Sequence, residues 1–369
     1  MKTTPKQYQD KNAIKEAIIA FTLAVVGAIL IKIPSLFGLD LDQNESFYAR
    51  NVSFFVLPLL TGYFVWKRKL EYKISIKLAG VFVVALIFAN IYSFQYGSDT
   101  EALLALHMPI ALWLIVGVAF SGGKWNLVNK RMDFIRFSGE MFIYYVLIAL
   151  GGVVLTGFMA LIFGTINIDI EPIFESWIIP SGPIGAVIVA AWLAENRKEL
   201  TGNIAPILAK LFSPLFAIVI ITFIGTLLFT GNELIMDRDI LIVFDLLLVV
   251  VLGLLLYSIS AREPETSPGV FDVVQVILVI SALLVDTVAL WGISERIAEF
   301  GFTPNRVVAL GMNLILLVNL TWAAVLYIRF FNRKTNFPTL EKWQTDYLPV
   351  YAVWAMIVVI IFPLLFSFQ

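Results

Sequence analysis

Two aspartates fall inside stretches that are otherwise almost wholly apolar: Asp245 in ILIVFDLLLVVVLGLLLYSIS and Asp286 in VVQVILVISALLVDTVALWG. An ionisable group at mid-span costs about 2.5–3.5 kcal/mol on insertion scales, so such residues face a bundle interior or a wet cavity. Asp245 comes about six residues into one apolar stretch, and Asp286 about six residues before the end of the next. Antiparallel neighbours would therefore bring them to a similar depth. Two carboxylates facing each other in low dielectric do not both ionise freely, and one would hold a proton near neutral pH. A proton or cation relay needs that property.

Asn90, His107 and Asn313 fall at comparable depth in other stretches, and Asn319 lies deeper. The asparagines either line a polar site or knit helices together. His107 is the only histidine, and a lone histidine is either a base or a hydrogen-bonding group satisfied nearby. With no cysteine to join it, a buried transition-metal site is not expected, and no cofactor is. Asp272, Gln275 and Asp286, spaced by 3 and 11, fall within roughly 60° of one helical face. Arg306 and Asn313, seven apart, share another.

Arg296 and Arg306 fall in the connection ISERIAEFGFTPNR. Gly301 can take a positive φ, Thr303 is a good N-cap and Pro304 suits the first helical position. Arg306 then occupies a first helical turn, where the macrodipole disfavours a cation. Glu295, Glu299 or Asp286 could compensate it, as could an anionic ligand such as a lipid phosphate. Arg296 and Arg306 are thus the candidates for anion recognition, with salt bridging as the alternative.

The elements that must hold these residues are membrane spans. Of 369 residues 60% are hydrophobic and 14% charged, with a mean hydropathy of +0.89; soluble domains average about 25% charged. The expected fold is all-α, a polytopic transmembrane bundle of about eleven spans. They cover approximately 16–35, 51–66, 76–95, 103–120, 138–163, 177–194, 211–230, 240–260, 269–292, 307–330 and 347–368. The first reads as a retained span, because no small-residue cleavage site follows it. In the sixth, Pro180-Ser181-Gly182-Pro183 implies either a bent or unwound opening turn or a loop outside the bilayer. No connection is long enough for a soluble domain, so residues 1–369 read as one integral membrane domain. Glu195 to Lys210 could form an interfacial helix.

All but five of the 26 basic residues fall on alternate connections; the exceptions are Lys32, Arg50, Arg238, Arg296 and Arg306. Positive short loops stay in the cytoplasm, which puts the N-terminus inside and, with eleven spans, the C-terminus outside. The other side is rich in Asp and Glu, either as a solvated surface or as a face that attracts cations or a partner. Nothing in the charge balance points to nucleic acid.

GFTPNRVVALGMNLILLVNL followed by DYLPVYAVWA resembles a bacterial multi-spanning membrane family known as domain of unknown function 4153. In that family an aromatic-Gly-Leu-Thr-x-x-Arg turn opens a late helix. Phe300, Gly301, Thr303 and Arg306 match it, and Phe302 replaces the leucine. The resemblance covers about 60 residues, Ile293 to Ala355, and implies a multi-pass protein of the bacterial inner (plasma) membrane with no assigned activity. Three readings of function stay open. One is a transporter with a polar site in its outer half. The second is an enzyme or binder acting on a lipid or lipid-linked substrate. The third is a structural or signalling component with a membrane-protein partner. Membrane lipids are the shared surroundings of all three.

Overall fold

A chain segment in lipid must satisfy its backbone polar groups internally, which a helix does within one segment. In the computed structural model every regular element among the described residues is helical. Those residues are 5–165 except 93 and 96, 171–196, 212–225 except 223, and 238–367 except 264. Eight of the helices are long and apolar enough to cross a membrane, which makes this a multi-pass membrane protein.

Three of the eleven expected spans are not among the eight. The stretch 51–66 lies within α2 (Glu45–Arg68) and 347–360 within α11 (Phe337–Ile360). Both helices carry too many polar residues to qualify by hydropathy. Their polar side chains are instead matched by neighbouring helices, as for Asn51 and Gln344 below. The stretch 211–230 contains the helix α7 (Phe212–Thr222), but 226–230 lie outside the described residues. So do 197–210, most of the expected interfacial helix, and the C-terminal Phe368-Gln369.

The chain divides into two compact units. The first takes residues 1–92, 108–125 and 137–201. It holds α1 (Pro5–Leu30), α2, α3 (Tyr72–Ile91) and α6 (Ile179–Asn196), with parts of α4 (Asp99–Phe120) and α5 (Val128–Thr165). α1 packs on α6 through small residues, and a Cβ on Gly27 would meet Ile184 Cγ2 at 2.9 Å. Such close approach is how helices associate without a hydrophobic driving force. At one end Lys67 bonds Glu16 at 2.6 Å and Asn196 at 2.8 Å, while Arg68 reaches Glu195 at 2.7 Å.

The Pro-Ser-Gly-Pro stretch is neither unwound nor a loop. A π-helical turn, Phe174–Ile178, leads directly into α6. Pro180 has no N–H to give the carbonyl of Ser176 four residues earlier. That carbonyl instead accepts the Lys32 amine, and Ser181 Oγ donates to the Ala28 carbonyl at 3.0 Å. The Lys32 side chain thus takes over the bond that Pro180 removes, and Ser181 ties α6 to the α1 backbone.

The second unit takes 93–107, 126–136 and 202–369. Its helices are α7, α8 (Arg238–Ala261), α9 (Val270–Phe300), α10 (Pro304–Phe331), α11 and the short α12 (Phe362–Leu365), with the Asp99–His107 portion of α4. α9 and α10 form an antiparallel hairpin across Gly301–Thr303, and α9 packs on α8 as α10 does on α11. Arg262, past the end of α8, binds both Asp272 oxygens at 2.8 and 3.1 Å and lies over the Phe337 ring at 4.3 Å. Asp272 also accepts the Gly269 N–H at 2.8 Å, capping α9. At the other end of the hairpin Gly301 has φ +76°, and Thr303 caps α10 by accepting the Arg306 N–H.

Candidate functional site

α9 runs on to Phe300, eight residues past the apolar stretch. Hydrophobicity stops near Gly292, but Ser294 to Phe300 contains no breaker and continues the helix. Arg296 therefore lies on the last turns of α9 rather than in a loop, and Asp286 lies near the middle of that helix. Asp272, Gln275 and Asp286 are all buried, as one face requires. Gln275 donates to Ser213 at 2.9 Å and Ser258 at 3.1 Å, tying α7, α8 and α9 together.

Asp286 is 0% exposed, and neither of its carboxylate oxygens has a hydrogen-bond partner among the described residues. It lies within electrostatic reach of Asp245 on α8. Asp245 accepts the Asn313 amide of α10 at 2.7 Å, while the same amide nitrogen also donates to the Ala309 carbonyl at 2.9 Å. Asn313 is fully buried and its Oδ1 accepts nothing from the described residues. Three buried acceptor atoms therefore meet no donor among the described residues. A buried polar atom left so costs about 1–3 kcal/mol, and a proton or a cation would supply what is missing.

Asp245 also lines a cavity of about 560 Å³ formed within the second unit, together with His107 of α4. His107 is buried, with Nδ1 at 2.8 Å from the Leu103 carbonyl. A carbonyl only accepts, so Nδ1 carries the proton and Nε2 of the neutral ring is an acceptor. Arg238, Arg296 and Arg306 line the same cavity.

The charge on Arg306 is met in a way its own helix does not predict. Nη1 donates to the carbonyls of Phe300 and Gly301 at 3.0 and 2.8 Å. The cation that opens α10 thus caps the negative end of α9, the favourable end of a macrodipole for a cation. Arg306 and Arg296 also lie 5.4 and 5.8 Å from the centroid of the Phe300 ring. Glu295 accepts the Trp291 indole N–H at 2.7 Å.

The other sequence candidates fall elsewhere. Asn90 belongs to the first unit, where it and Asn51 exchange amide hydrogen bonds at 2.8 and 3.0 Å. Asn319 donates to Gln344 at 3.1 Å and Tyr351 at 2.7 Å and accepts the Trp343 indole at 2.8 Å. Both pairings are helix-knitting contacts. Asp245, Asp286, Asn313 and His107 with Arg296 and Arg306 remain as one neighbourhood, to which Arg238 is added. The sequence signal for Arg238 is its place among the five basic residues that fall outside the basic connections. Among the described residues no group of three His, Asp or Glu side chains could hold a metal ion.

Comparison with protein-family models, curated proteins and solved structures finds no match. Function must be read from the site itself.

Proposed function

We propose that this protein is a membrane transporter in which Asp245 and Asp286 hold a proton or small cation between them, coupling its movement to that of a substrate. The observation that carries this reading is Asp286: fully buried, without a hydrogen-bond partner at either oxygen among the described residues, and within electrostatic reach of a second carboxylate. A structural aspartate normally acquires donors or a counter-charge, because a bare buried charge is expensive. Asp272 does so through Arg262 and Gly269. The cavity that reaches Asp245 supplies a route to the pair.

The charge asymmetry of the connections supports an N-terminus in the cytoplasm and the cavity mouth on the opposite side. The resemblance of the Gly301–Arg306 turn supports assignment to domain of unknown function 4153 and to a bacterial inner membrane.

A hydrophobic carbodiimide tests the pair directly, since it modifies carboxylic acids that carry a proton in apolar surroundings. Wild type in proteoliposomes should be modified at Asp286 or Asp245, with a parallel loss of proton or sodium flux. Asp286→Asn should lose the flux and any modification at position 286. Equal flux from wild type and Asp286→Asn would overturn the proposal.

A further inference from the structure

The three arginines on the cavity wall come from three helices, α8, α9 and α10. They are three of the five basic residues on that side of the chain's connections. Convergence of scarce cations on one cavity is electrostatically unfavourable unless something anionic answers it. Two carboxylates, Asp99 and Asp245, also line the cavity, one fewer than the arginines. Asp245 accepts the Asn313 amide and lies seven residues beyond Arg238 on α8, about 10 Å deeper along the helix.

Arg306 binds protein through Nη1 alone among its side-chain nitrogens, within the described residues. Its Nε and Nη2 remain to meet a ligand. The first turns of α4 and α10 open on the same cavity, at Asp99 and at Thr303 to Arg306. Helix N-termini add positive potential there.

The remaining wall is apolar and opens sideways. Leu106 and Ile242 line the cavity, yet are 67% and 53% exposed. Both belong to apolar helices, so in a membrane they face hydrocarbon. A soluble anion has no use for such a wall, whereas a lipid chain does.

We propose that this cavity binds an anionic lipid. Its phosphate lies against Arg238, Arg296 and Arg306, and its hydrocarbon chain leaves between Leu106 and Ile242. Guanidinium groups suit this role because their planar forks match phosphate oxygens. The site does not use Asp286, which is not part of the cavity wall.

The test uses delipidated full-length protein in neutral detergent, with binding followed by native mass spectrometry and by thermal shift. The probes are dioctanoyl phosphatidic acid, dioctanoyl phosphatidylcholine and inorganic phosphate. Phosphatidic acid should bind at least tenfold more tightly than either of the others. Arg238→Gln combined with Arg296→Gln should weaken it at least tenfold, and Leu106→Ala with Ile242→Ala should bring it toward inorganic phosphate. Should the glutamine pair fail to fold, the corresponding lysine pair serves, and it should bind more weakly than wild type with greater sensitivity to salt. Equal binding of the two lipids would overturn the proposal, as would equal binding of inorganic phosphate, which marks a soluble-anion site. Unchanged binding in the folded arginine variants would do the same. Asp286→Asn should bind phosphatidic acid like wild type, so the lipid site and the ion-coupling reading stand or fall separately.

Discussion

Asp286 is fully buried and Asp245 half-buried, yet only Asp245 has a donor. Asn313 supplies it, and replacing that amide by leucine should leave Asp245 bare. Asn313→Leu is expected to destabilise the protein by about 1–3 kcal/mol, read as a lowered midpoint of thermal unfolding in detergent. Asp286→Asn replaces a group that bonds nothing described and brings N–H donors toward unmatched acceptors, so its midpoint should stay near wild type. A large loss there would instead make Asp286 an ionised member of a structural network. Glu341, in the first turns of α11 and outside the membrane-crossing helices, titrates for a different reason. Burial pushes its carboxyl above the usual range, and Arg136 and Arg262 pull it part of the way back. The folded protein thus keeps a proton there that the unfolded chain releases. That contribution is complete below the ordinary carboxylate range and is lost as pH rises through the folded value. Glu341→Gln should flatten this fall in stability with rising pH.

Local chemistry announced some elements and long-range pairing hid others. The turn from α9 to α10 was legible because Gly301, Thr303 and Pro304 each act on their own backbone. The length of α9 was not, because hydropathy reports lipid contact and says nothing of a helix that continues into polar surroundings. α2 and α11 show the converse, helices whose polar residues are matched by other helices. Asn90 was placed beside the carboxylates on depth alone, and its partner Asn51 is 39 residues away, a separation that no periodicity reveals. The prolines in the first turns of α6 suggest an unwound turn or a loop, yet the helix holds there, with Lys32 taking the Ser176 carbonyl. Lys32→Met should orphan the Ser176 carbonyl and lower the unfolding midpoint, whereas a merely solvated lysine would be neutral. The α10–α11 contact offers a second check. A Cβ on Gly311 would collide with the Trp354 indole. Gly311→Ala should cost about 1–3 kcal/mol by overpacking, and Trp354→Leu should restore most of it in a double-mutant cycle.

At the scale of the whole molecule, the orientation argument rests on lysines and arginines distributed over the entire chain. Because the sequence has no cysteine, single cysteines can report sidedness without background. Phe302→Cys in intact cells should react with a membrane-impermeant maleimide, and Lys124→Cys should react only after permeabilisation; the reverse pattern would invert the molecule. The reach of α9 has a consequence of another kind. Its 31 residues make a rod of about 46 Å, against a hydrocarbon layer of about 30 Å. Such a rod must lean, or stand with its arginine-bearing end among the headgroups. Either choice ties its posture to membrane thickness. Reconstitution into a series of phosphatidylcholines of increasing acyl length should then alter the solvent accessibility of a probe at Glu299, and with it the width of the cavity mouth that the end of α9 helps to frame.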